Sequence, residues 1–148
     1  MFGIGLWALV RFAHVAGAAL WVGGQLALSL VVLPLARRTL DPEARGRFAR
    51  EAGRRFGVLT AAVFLPVQLG TGVAMAWHKG VTWSSPAEPG YGRTLAAKLA
   101  LFTAVMVAAA LHGWAHGRGR PGLARVLAVG SLAGSLGVVL LAAALPVT

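Results

Sequence analysis

The stretch from Arg11 to Gln25, RFAHVAGAALWVGGQ, decides how the chain is read. It lies inside the first long apolar run and carries a histidine near its middle. Wound as a helix, it places Arg11, His14, Ala18, Trp21, Gln25 and Ser29 at steps of three or four, so they share one face. The rest of the helix is Leu, Val, Ala and Gly. An ionisable side chain at membrane depth is costly, and it turns toward a protein interior, a partner or a bound ion. The spacing therefore predicts a membrane helix whose polar stripe walls an internal site.

The composition around this stretch supports a membrane assignment. Of 148 residues, 57% are hydrophobic and only 12% are charged, where a soluble domain carries about a quarter charged. The apolar runs are long enough to cross a hydrocarbon core of roughly 30 Å. No cysteine is present, which excludes disulfides, thiolate metal sites, iron–sulfur clusters and covalent c-type haem. Met1, Met75 and Met106 form no cluster, which weakens a soft-ligand Cu(I) site. The net charge of +10 does not indicate nucleic acid, because of its placement. Seven of the fourteen basic residues lie between Arg37 and Arg55, and three more are Arg118, Arg120 and Arg125. Such short basic segments between apolar runs are the positive-inside signature, and they meet anionic lipid head groups. Met1 to Leu6 lacks the positive start of a signal peptide, and the apolar run continues to Leu35.

These features predict an all-α membrane protein: a single domain of four transmembrane helices at about 5–36, 56–77, 93–115 and 123–145. Short connections favour an antiparallel bundle. Both termini are expected outside and the Arg-rich loops in the cytoplasm, as in a bacterial-type inner (plasma) membrane. Pro34 is tolerable near the end of the first helix, and Pro66 should kink the second. Asp41-Pro42-Glu43 reads as a helix start opening a short basic amphipathic helix that merges into the second span. Gln68, Thr71, Met75 and His78 share a face beyond Pro66. Trp77, Trp83 and Tyr91 suit an interfacial aromatic belt. In the third helix, Thr94, Lys98, Val105, His112 and His116 line one face. In the fourth, Gly130, Ser131, Gly134, Ser135 and Gly137 have the small-residue spacing of close helix packing.

Depth separates the ionisable groups. His14 lies roughly 10–14 Å from the outer end and Lys98 roughly 8 Å, at 1.5 Å per residue. His78 sits at the outer mouth. These three, with Arg11 and Gln68, can converge in the outer half. His112 and His116 fall about 15 Å deeper in a core of roughly 30 Å. The four histidines are therefore two groups of candidate metal ligands, not one site. Arg11, Trp21, Gln68, His78 and Lys98 join His14 as candidate cofactor contacts. Each has a structural alternative. His14 can hydrogen-bond a neighbouring helix, Arg11 and Lys98 can snorkel outward, Trp21 can pack between helices, and His78 is cheap at a boundary. The i, i+4 spacing of His112 and His116 can bring two imidazoles to one metal.

The pattern His14-x-x-Gly17-x-x-x-Trp21-x-x-Gly24, with Lys98-Leu99-x-Leu101 opening the third helix, resembles the small four-helix membrane proteins of the CopD type. It is also similar to HemJ-type protoporphyrinogen oxidases. The HemJ resemblance implies a functional pair, His14 and Lys98, in an oxidoreductase. Together the two resemblances imply haem, porphyrin or copper without choosing. A greasy cavity among helices suits a flat macrocycle and an imidazole suits its iron, so haem b or a porphyrin leads. Copper binding or transport through His14, His78 and the His112/His116 pair stays open. So does a non-catalytic accessory subunit of a larger respiratory complex. The partners implied are the lipid bilayer, a membrane electron-transfer partner or larger complex, and a second copy in a homo-oligomer.

Overall fold

The computed structural model describes residues 4–87 and 89–144. Among these residues every regular element is helical. Four long helices follow one another: α1 (Leu6–Thr39), α2 (Pro42–His78), α3 (Tyr91–Gly117) and α4 (Pro121–Ala144), each long and apolar enough to cross a membrane. A single 3-10 turn, Ser85–Ala87, lies in the connection between α2 and α3. The first two helices hold 34 and 37 residues, or roughly 50–55 Å at 1.5 Å per residue. A core of about 30 Å cannot contain them. Their basic ends therefore project together.

Both prolines are accommodated by the same device. A π-helical turn, Leu28–Val32, closes two residues before Pro34, and a second, Thr60–Phe64, closes two residues before Pro66. A proline offers no N–H and its ring collides with the carbonyl four residues back. A wider turn moves that carbonyl aside. Hence α1 runs through Pro34 to Thr39 rather than stopping near 36, and the disturbance expected at Pro66 takes the form of a π turn just before it.

Between α1 and α2 only Leu40 and Asp41 are non-helical. Asp41 caps α2, its Oδ1 accepting from the Ala44 amide at 2.8 Å, with Pro42 and Glu43 in the first turn. The basic segment that follows is continuous with the membrane-crossing part of α2. Glu43 pairs with Arg47 at 2.7 Å, and Glu51 with Arg54 and Arg55 at 3.0 and 2.8 Å. All of these side chains are solvated, so the pairs add little stability.

The chain divides into two compact units, Met1–Gly80 and Val81–Thr148. The first is the antiparallel hairpin of α1 and α2. The second contains the α2–α3 connection and the hairpin of α3 and α4. In this second unit the small residues of α4 admit α3 closely, as their spacing predicts. A Cβ added at Gly134 would fall 2.5 Å from Val105 Cγ2, and one at Gly137 2.9 Å from Leu101 Cδ2. Ser131 and Ser135 are buried beside them, the Ser135 hydroxyl donating to the Ser131 carbonyl at 2.7 Å. Gly130 meets nothing and lies outside this contact. Many large apolar side chains point outward on both hairpins, such as Leu20 at 77% and Leu140 at 71% exposure. A surface of that kind suits lipid.

Candidate functional site

The polar stripe of α1 is the seam of the first hairpin. Trp7, His14 and Trp21 recur at steps of seven, with Gly17 and Gly24 three residues after His14 and Trp21. This is the spacing of a helix packed along a coiled-coil-like line. The glycines make room for α2. A Cβ at Gly17 would lie 2.8 Å from Gln68 Nε2, and one at Gly24 2.9 Å from Phe56 Cε2.

Two threonines of α2 receive the ring N–H groups of His14 and Trp21. Thr60 donates its hydroxyl proton to the Phe56 carbonyl at 2.8 Å and accepts from Trp21 Nε1 at 2.9 Å. Thr71 repeats the pattern, donating to the Val67 carbonyl at 2.5 Å, with its oxygen 2.8 Å from His14 Nδ1. A hydroxyl has one proton. Since Thr71 spends it within its own helix, its oxygen is the acceptor and His14 Nδ1 the donor. The network thereby places a proton on Nδ1, and in the neutral ring Nε2 then carries the lone pair. One turn away, Gln68 is buried and donates from Nε2 to the His14 carbonyl at 2.6 Å. The His14 ring also lies against Gly72, where a Cβ would come within 3.4 Å of its Cε1. The imidazole is thus held by two hydrogen bonds to its residue and by a glycine beneath it.

The remaining candidates divide as follows. Trp21 is 7% exposed and stacks on Phe64, with ring centroids 4.7 Å apart and an interplanar angle of 8°. A second ring, Phe56, lies 6.3 Å away. Its indole is thus a helix-interface ring. His78 is not brought to His14. It stacks on Trp7 at 3.8 Å and 18°, one heptad from His14, or roughly 10 Å along the helix. Arg11 lies on the exposed edge of the stripe, and Ser29 is exposed within the π turn, which rotates the helix face there. Lys98, His112 and His116 belong to the second unit. Lys98 is half-buried on α3. His112 Nδ1 lies 2.7 Å from the Ala124 carbonyl, which can only accept, so Nδ1 is the donor here too. Its ring is 6.3 Å from that of His116, which is exposed. Among the described residues, no group of three or more His, Cys, Asp or Glu is placed to hold a metal ion.

The stripe counted from Arg11 passes over Trp7, Thr60 and the two phenylalanines. The seven-residue step back from His14 would have found Trp7. Thr60 had no sequence signal beyond its polarity within an apolar run.

Four helices long and apolar enough to cross a membrane define the class, a multi-pass helical membrane protein. A protein of Aquifex aeolicus (strain VF5), described as an uncharacterized protein, is 32% identical over 108 residues, covering 72% of this chain and 68% of the relative. The chain belongs to the same family as that protein. No family model and no solved structure matches it.

Proposed function

We propose that the protein holds a haem b or a related porphyrin through His14 and serves membrane redox chemistry, as its resemblance to HemJ- and CopD-type proteins suggests. One observation carries this reading. Thr71 accepts a hydrogen bond from His14 Nδ1, the arrangement by which a ligating histidine is oriented toward metal through its other nitrogen. When bound, the porphyrin iron supplies the electron chemistry. The chain's own work is to orient the imidazole through Thr71, to hold its backbone through Gln68, and to keep the seam dry by packing Trp21 on Phe64. Arg11, on the exposed edge at this level, suits an anionic propionate. Lys98, the second residue of the implied pair, is the candidate for proton handling in an oxidase.

In this reading the basic ends of α1 and α2 and the α3–α4 turn are cytoplasmic, and both termini are outside, in a bacterial-type inner membrane. The concentration of arginine in these two regions supports that orientation. Copper has less support, since among the described residues its candidate ligands come at most in pairs.

The test is titration of haemin into the detergent-purified protein. A saturable Soret band at one haem per chain, lost in His14→Ala and kept in His78→Ala, is expected. A wild-type protein that takes up no haem would overturn the proposal. Tight binding of copper under the same conditions would transfer it to metal handling.

A further inference from the structure

The end of the second hairpin carries an arrangement that the haem reading does not use. Helix α3 closes with a pair of hydrogen bonds, from the Gly119 amide to the His116 carbonyl at 3.2 Å and from the Arg120 amide to the Ala115 carbonyl at 3.0 Å. Gly119 has φ +67°. This is the Schellman closure, which needs a left-handed residue at that position, and glycine supplies it at no steric cost. The turn leaves one arginine on each side of the glycine. Both side chains come back over one indole: Arg118 Cζ lies 5.5 Å and Arg120 Cζ 5.6 Å from the centre of the Trp114 ring.

Two cations converging on one ring repel each other unless an anion lies with them. In the first unit three arginines meet carboxylates, Arg47 at Glu43 and Arg54 and Arg55 at Glu51. Among the described residues, the second unit shows no such partner. The four acids of the chain are Asp41, Glu43, Glu51 and Glu88, so none stands among the described residues of this unit, and the first turn of α4 carries none. Trp114 is 47% exposed at the end of a membrane-crossing helix, the depth at which indoles mark the head-group layer. Guanidinium groups match phosphate in charge and in the geometry of their donors.

We propose that Arg118, Arg120 and Trp114 form a binding site for the phosphodiester of an anionic phospholipid. The arginines take the phosphate and the indole lies along the glycerol and upper acyl chain. The Gly119 turn sets the spacing. The site makes the second hairpin a reader of lipid charge, whatever cofactor the first one holds.

The experiment measures lipid retained by the detergent-purified full chain, by native mass spectrometry, after incubation with phosphatidylglycerol or phosphatidylcholine. Wild type is expected to retain phosphatidylglycerol preferentially. Basic residues near a membrane surface each contribute about fivefold to anionic-lipid binding. Arg118→Gln with Arg120→Gln should therefore lower the preference about 25-fold. Arg37→Gln with Arg38→Gln, which removes the same charge elsewhere, should leave most of it. Arg118→Lys with Arg120→Lys should keep the greater part. Equal retention of the two lipids by wild type, or equal losses in the two Gln pairs, would overturn the site. Displacement of the lipid by millimolar inorganic phosphate would also overturn it, because the cluster would then be a general anion site.

Discussion

Replacing Thr71 by Val tests the hydrogen-bonded core of the candidate site with least disturbance to packing. The two side chains have nearly the same shape, so the contact with α1 survives while the hydroxyl is lost. The Val67 carbonyl loses only an extra bond, since it lies within a continuous helix. The imidazole loses the acceptor of its Nδ1 proton, 2.8 Å away in the wild type. A buried donor left unsatisfied costs about 1–3 kcal/mol, and interhelical hydrogen bonds measured in membranes average about 0.6 kcal/mol and reach about 1.7 kcal/mol. The overlap gives about 1–1.7 kcal/mol for Thr71→Val, or roughly a five- to twentyfold shift in the unfolding equilibrium. Thr71→Ser, which keeps the hydroxyl, should cost much less. Denaturation in mixed micelles reads the stability, and 15N spectra of labelled histidine read the tautomer. Wild type should show a protonated Nδ1 and an unprotonated Nε2 at His14, with mixed tautomers in the valine variant. A ligand bound through Nε2 should be held about 10–100-fold less tightly in the variant. If Thr71→Val matches wild type in both stability and tautomer, His14 is not positioned by Thr71, and the reasoning fails.

Other substitutions probe the helix contacts separately. Gly134→Ala brings a Cβ to 2.5 Å from the stiff, 3% exposed Val105. It should cost about 1–3 kcal/mol by overpacking, and Val105→Ala in the same chain should recover much of that in a thermal melt. Gly17→Ala crowds the far end of Gln68, which can swing aside, and meets Val67 only at an ordinary 3.7 Å. Its cost should stay near the roughly 0.6 kcal/mol of one interhelical hydrogen bond, with faster amide exchange around His14 as its signature. Trp21→Phe and Thr60→Val each break the same 2.9 Å bond. In a double-mutant cycle the second should add little to the first, whereas additive losses would show that the two do not interact.

Much of the fold is legible in the residues themselves. Hydropathy alone marks four helices, because a backbone in lipid must satisfy its own hydrogen bonds. Asp41-Pro42-Glu43 announces the start of α2, and the small residues of α4 announce its contact with α3. What sequence could not supply is local geometry. Proline chemistry predicts a disturbance at Pro66 but not that it becomes a π turn, which sets Thr60 and Phe64 against Trp21. The face shared by His14 and Trp21 follows from periodicity. That two threonines would accept from them depends on the register of α2 against α1, and no single helix encodes it. His78 illustrates the same limit, since its polarity groups it with His14, yet its place in the register puts it on Trp7.

The most direct test is the reduced-minus-oxidised absorption spectrum of the protein purified from the membranes that produce it, wild type beside His14→Ala. The account predicts α and Soret bands of a b-type haem in wild type and their loss in the variant at unchanged helix content. A colourless wild type, or haem bands that survive the loss of His14, would contradict it.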